Sequence, residues 1–208
     1  ILRGPQGALY GSASMGGAVN YIPIAPNPEE VDFAAQLIAT DRTNSSVSYS
    51  RKVMLNVPLI SDKLALRAVA HETETQGYID NIGTGEEQAN DVTTRGGRIA
   101  LSWDINPGIM LKLHGLQQTI AVEDSGYVDE RLDDLKKETT QPEPTDTELS
   151  VAGIRYEHSL DEHGDVVFVG SYQEKSSFLS VDGATALGIQ DTTIFINENI
   201  MRRSKATP

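Results

Sequence analysis

Apolar and polar residues alternate with a period of two along most of this chain. In the stretch GGRIALSWDI, Ile99, Leu101, Trp103 and Ile105 share one side, and Arg98, Ala100, Ser102 and Asp104 share the other. The turn tripeptide Asn106 to Gly108 follows, and alternation resumes with Ile109, Leu111 and Leu113 opposite Met110, Lys112 and His114. Successive side chains of a strand point to opposite faces, so this pattern predicts a hairpin with one apolar and one polar side. A second hairpin sets Val53, Leu55, Val57 and Leu59 against Lys52, Met54, Asn56 and Pro58. It turns at Ser61-Asp62 and continues with Leu64, Leu66, Ala68 and Ala70 alternating with Lys63, Ala65, Arg67 and Val69. An earlier strand, about Phe33 to Thr40, should pair through DRTN with the strand starting near Ser46. A third hairpin joins LSVAGIRYEHS to DVVFVGSYQEKS through Asp161 to Gly164. There Arg155 falls in phase with Leu149 and Val151, an irregularity that a β-bulge would repair.

The connections alternate in length. Ser61-Asp62, Asn106 to Gly108 and Asp161 to Gly164 are short, whereas roughly 75–93 and 124–147 are long. A soluble sandwich has no reason to gather every long loop at one end, but an outer-membrane barrel does. Trp103 and Tyr156 sit beside short turns, where an aromatic girdle would form. The pattern therefore predicts an all-β antiparallel meander of about seven strands that belongs to a transmembrane barrel. Such barrels close with an even number of strands, about eight or more, so the chain is expected to be a segment of something longer. Its opening inside an apolar stretch at Ile1 and its ending in IMRRSKATP agree with that expectation.

Composition narrows the alternatives. The 208 residues are 38% hydrophobic and 23% charged, which excludes a disordered chain, and mean hydropathy is -0.31. No window approaches the ~18 apolar residues of a membrane helix. Cysteine is absent, so neither a disulfide framework nor a thiolate metal site is available. The net charge of -13 argues against nucleic acid as a partner. That charge is concentrated in the two long loops, first in Glu72, Glu74, Asp80, Glu86, Glu87 and Asp91, then between Glu123 and Glu148. Charge runs of this kind read as solvated rims where regular structure stops.

The N-terminal stretch ILRGPQGALYGSASMGGAVNYI is of another kind. Glycine is retained where backbone turns sharply or passes close to other atoms, and five glycines fall within Gly4–Gly17 behind Arg3. No G-K-[ST] ending makes it a phosphate loop, and neither Ser12 nor Ser14 lies in a G-x-S-x-G elbow. Arg3, Gly4, Pro5, Gly7, Tyr10, Gly11, Gly16, Gly17 and Asn20 match the pattern hydrophobic-hydrophobic-R-G-P-x-G-x-x-Y-G followed by G-G-x-x-N-hydrophobic. This resembles the segment that closes the plug domain of TonB-dependent outer-membrane receptors. NVPLISDKLALRAVAHETETQGYIDN is similar to the first barrel strands of the same family, and the likeness is good over roughly residues 1–120.

The resemblance implies residues 1–28 as plug end and linker and 29–208 as the first strands of a barrel, in a family whose plugged barrels have about 22 strands. It implies active import of a scarce substrate, most often a ferric siderophore, across the bacterial outer membrane. Cobalamin, haem and oligosaccharides are the other cargoes of the family. The implied partners are TonB and its inner-membrane motor, through a Ton box upstream of Ile1, together with outer-membrane lipid and lipopolysaccharide. Arg3 matches the arginine that joins an ion-pair cluster between plug and wall in this family. Under this reading Arg67, His71, Arg98, Lys112 and His114 are lumen-facing candidates. Leu64, Leu66, Ile99, Leu101, Trp103, Ile105, Ile109, Leu111 and Leu113 are lipid-facing candidates. His158 and His163 flank a short turn and read as solvated, and no histidine spacing marks a catalytic metal site. No enzyme activity, cofactor or metal is assigned. In the full-length protein, arginine is expected to be tolerated much better at Ala100 than at Leu101. A passive porin or adhesive barrel, and a soluble sandwich, are the alternatives.

Overall fold

The structure, a computed structural model, describes residues 2–4, 17–18, 22–132, 134–160, 162, 164–183 and 193–203. Strands β1 (Leu2–Arg3) and β2 (Gly17–Ala18) pair antiparallel as a small unit of their own. The main sheet contains β3 (Asp32–Thr40), β4 (Ser48–Ile60) and β5 (Leu64–Thr75). After the two-residue β6 (Asp80–Asn81) it continues with β7 (Val92–Asn106) and β8 (Ile109–Val122). Beyond the equally short β9 (Lys136–Lys137) come β10 (Thr145–Ser159), β11 (Asp165–Asp182) and β12 (Thr193–Arg203). Eight strands thus form one antiparallel meander, with β3 and β12 at its edges. The expected count of about seven is corrected by β12, which follows the third hairpin and lies in a stretch whose alternation was not read as a strand.

The turns are where glycine and turn residues placed them. Lys63 N donates to Ile60 O at 3.1 Å around Asp62, and Gly108 and Gly164 take the left-handed backbone conformation. Short connections lie at one end of the sheet and long ones, 76–91 and 123–144 among them, at the other. Cross-strand register assigns the two faces. One carries Leu64, Leu66, Ile99, Leu101, Trp103, Leu111 and Leu113, with Ile109 at its short-turn border. The other carries Arg67, His71, Arg98, Lys112 and His114. Two details depart from simple alternation. The register shifts between Asp104 and Asn106, so Ile105 is an extra residue without a partner and drops out of the apolar row. In β10 the pairing is unbroken on both sides, so the bulge expected near Arg155 is absent. Arg155 shares a face with Leu149 and Val151 because that face mixes polar and apolar side chains throughout.

No second layer covers the apolar face among the described residues. Leu37 is 70% exposed and Ile99 52%, and Phe33, Val53, Leu55, Trp103, Leu113 and Phe168 are also exposed. Among the described residues the buried apolar ones are Ala65, Ile79, Ala89 and Ala100, three of them alanines. Ala100 sits on the mixed face between Arg67 and His114. Arginine at this buried position would add a further cation beside Arg67.

The long loops are ordered by close backbone approaches. β6 and β9 pair in parallel, Asp80 with Lys136 and Asn81 with Lys137. A Cβ at Gly83 would stand 2.1 Å from Thr139 O, whereas at Gly126 it would meet nothing. Gly83→Ala should therefore cost on the order of 1–3 kcal/mol by forcing the two loops apart, with faster proteolysis of 123–144. Gly126→Ala should leave the digestion rate unchanged, and equal rates for both variants would contradict this packing.

Candidate functional site

The mixed face carries the chemistry. Counting β3 to β11, its cations are Lys52, Arg67, Arg98, Lys112, Arg155 and Lys175, spread along the middle of the strands. Its carboxylates, Asp32, Asp104, Glu157 and Asp165, keep to the short-turn end. A chain of net charge -13 therefore presents a locally basic wall. The apolar face has the opposite arrangement, with its charges at the long-loop border. There Arg95 Nε meets Glu72 at 2.6 Å, and Arg51 bridges Glu72 at 3.0 Å and Glu74 at 3.6 Å.

The segment that leads into β3 is fastened to the mixed face. Asn56 is fully buried; its Nδ2 donates to Asn27 O at 2.9 Å and Glu30 O at 2.8 Å, and its Oδ1 accepts from Asn27 N at 2.9 Å. Arg98 Nη2 donates to Ile24 O at 3.2 Å, and Asp62 N to Pro28 O at 3.1 Å. Between this segment and strands β3, β4, β5 and β7 lies a cavity of about 680 Å³. Ile22, Pro23, Ile24, Ala34, Met54 and Val69 give it apolar walls, and Lys52, Arg67, Arg98 and Gln36 give it polar groups. Arg67 and Arg98 repel each other, and Arg67 Nε is buried without any hydrogen-bond partner. Leaving such a donor unsatisfied costs roughly 1–3 kcal/mol.

His71 and His114 also lie on the mixed face, each against the glycine directly across the ladder. A Cβ on Gly96 would come within 2.5 Å of the His71 ring, and one on Gly153 within 2.1 Å of the His114 ring. The glycines therefore make room for imidazoles lying flat on the wall. His158 stands edge-on to Tyr156, with ring centroids 6.2 Å apart. Among the described residues no group of three or more His, Asp or Glu side chains could hold a metal ion.

At the long-loop end most carboxylates, Glu86, Glu87, Glu123, Glu130 and Glu138 among them, are exposed as a solvated rim would have them, but Asp124 and Glu143 are buried. Lys137 is buried, pairs with Asp124, and lies 3.5 Å from Glu143. Asp124 Oδ1 also accepts from Glu143 N and Ser125 N, both at 2.8 Å, and its Oδ2 accepts from Asn81 Nδ2 at 3.0 Å. Asn81 Nδ2 reaches Thr139 Oγ1 at 2.7 Å, and Asp182 N donates to Glu143 Oε1 at 2.8 Å. Two loops and the end of β11 are thus drawn onto one buried ionic clasp. On the surface, Arg131 pulls the Asp129 carboxyl down from its ordinary 3.8 to about 2, mainly through a side-chain hydrogen bond.

Of the residues singled out from sequence, the five lumen candidates share the mixed face, but only Arg67 and Arg98 meet in the cavity. Phe168 joins Trp103, Leu111 and Tyr156 in one row beside the short turns, widening the aromatic pair to three. Arg3 and Gly17 pair through β1 and β2, and Gly4 takes the left-handed conformation. Pro5, Gly7, Tyr10, Gly11, Gly16, Asn20 and His163 lie outside the described residues. Asn56 and Lys137 carry contacts, and Lys52 a place in the cavity wall, that alternation alone did not single out. The one available signal for Lys137 was a lysine pair inside an otherwise acidic run. No family model, no curated protein and no solved structure matches the chain.

Removing one partner of a buried ion pair leaves the other charge uncompensated, at about 3–5 kcal/mol. Lys137→Met should therefore loosen loops 76–91 and 123–144 together, seen as faster amide exchange at both Asn81 and Thr139. Loss of protection in one loop alone would refute the shared clasp.

Proposed function

We propose that this chain forms part of the wall of a plugged outer-membrane barrel that imports a scarce solute, an iron chelate, by TonB-dependent transport. The observation that carries the reading is a single antiparallel sheet whose apolar face has no protein cover among the described residues. On β5, β7 and β8 that face is free of charge from Trp103 to Gly97 over six residue steps, about 20 Å at ~3.4 Å each, the same order as the ~25 Å apolar band of outer-membrane barrels, and Glu174 of β11 stands level with Gly97 at its border. Acyl tails are the natural cover for such a band, with Trp103, Tyr156 and Phe168 at one interface and the Arg51–Glu72–Arg95 ladder at the other.

The opposite face supports the same reading. It is polar and studded with cations, as a lumen wall is, and a segment leading from the glycine-rich motif is fastened to it through Asn56 and Arg98. A plug tail entering the barrel would need such an anchor. The glycine-rich motif resembles the plug end of TonB-dependent receptors, and an inner-membrane motor would supply the force because the outer membrane has no ATP. Barrel closure, plug, Ton box and cargo all belong to this proposal.

Two experiments test it. In the intact protein, Leu101→Arg should destabilise by roughly 2–4 kcal/mol if the site lies near mid-membrane, whereas Gln118→Arg on the mixed face should change stability by about 1 kcal/mol or less. Equal effects would remove the lipid-facing assignment. Cells carrying the intact gene should accumulate labelled ferric chelates, and accumulation should stop on deletion of the gene or collapse of the inner-membrane proton gradient. Uptake that survives that collapse would identify a passive pore instead.

A further inference from the structure

We infer that the cavity between residues 22–24 and the mixed face is a binding site for a small amphipathic oxyanion, such as a carboxylate on an apolar body. Three cations, Lys52, Arg67 and Arg98, border one space of about 680 Å³, within the size range of small-molecule pockets. None of the three forms an ion pair among the described residues. Arg67 Nε is buried with no acceptor, so a polar donor has been taken out of water with no partner among the described residues.

The adjoining segment cannot supply the missing charge. Residues 1–28 contain no aspartate or glutamate, and Glu29 and Glu30, which follow, are exposed and pair with none of the three cations. The nearest ladder neighbours of the cations are also uncharged or basic: Asn56 and Ala100 flank Arg67, and Val69 and Leu116 flank Arg98. A guanidinium with an open edge, a second one close by and an ammonium on the next strand suit a planar oxyanion held by several N–H donors. Ile22, Ile24 and Met54 would cover an apolar body. A neutral solute would leave the cations unpaired, and an inorganic ion would leave the apolar walls unused.

This inference goes beyond the transport reading and does not rest on it, because it is tested by equilibrium binding without uptake. The probes are benzoate and its neutral counterpart benzamide, titrated calorimetrically against the intact protein in a non-ionic detergent. Benzoate should bind at least tenfold more tightly than benzamide and weaken as sodium chloride rises. The pair Arg67→Gln and Arg98→Gln together should lower benzoate affinity at least tenfold and leave benzamide unchanged. Because Arg98 also holds Ile24, Lys52→Gln serves as the variant that keeps the segment attached, and it should weaken benzoate about threefold or more. Lys112→Gln, on the same face but outside the cavity, should have no effect. Equal affinities for the two probes, absence of benzoate binding, or benzoate binding unchanged in both the double variant and Lys52→Gln would overturn the site.

Discussion

A single β-sheet cannot bury both of its faces by itself, and that constraint governs everything else in this molecule. Each large apolar side chain left in water forgoes about 1.5–3 kcal/mol of transfer free energy. Here the residues so placed include Phe33, Leu37, Val53, Leu55, Ile99, Leu113 and Phe168, all on one face. Soluble sheets solve this with helices or a second sheet. Among the described residues this sheet instead leaves its largest apolar side chains exposed and buries mainly alanines; on the proposed reading, acyl tails cover them. The unpaired edges of β3 and β12 impose the same demand on backbone groups, since an open edge invites further strand pairing.

The mixed face is organised by the same economy of space. Glycines at 96 and 153 leave shallow recesses into which His71 and His114 fold, so bulky polar side chains can lie along the wall instead of projecting from it. Ala65 and Ala100 do the same for the neighbourhood of Arg67. The segment 24–30 then packs against the wall through backbone hydrogen bonds to Asn56 and Arg98, which need no particular side chains from the segment itself. This anchoring is what creates the cavity, and it explains why cations from three different strands border one space.

At the far end the loops obey a different rule. Their many carboxylates could have repelled one another into solvent. Burying Lys137 beside Asp124 and Glu143 converts part of that repulsion into cohesion, and the leftover lone pairs are filled by Asn81, Ser125 and backbone N–H groups. A buried pair is favourable only when its remaining hydrogen bonds are met in this way. The clasp gives the long loops fixed positions relative to the strands. On the proposed reading, that gives the outer mouth of the barrel a defined shape.

Strands, turns and face assignment were legible because they depend on a period of two, a property of neighbouring residues. Leu64 through Leu113 fall on one side and Arg67 through His114 on the other for no reason beyond backbone pleating. Local pattern could not place the bulge that displaces Ile105, since one extra residue in a ladder is defined by the partner strand. Nor could it reveal contacts between distant positions: Asn56 reaches Asn27 across 29 residues, Asn81 reaches Thr139 across 58, and Arg98 reaches Ile24 across 74. The sequence by itself determined an alternating sheet with one apolar and one basic-polar face. Only the tertiary structure decided which charges are buried together and which border one cavity, because that depends on register across many strands and on where a linker folds back.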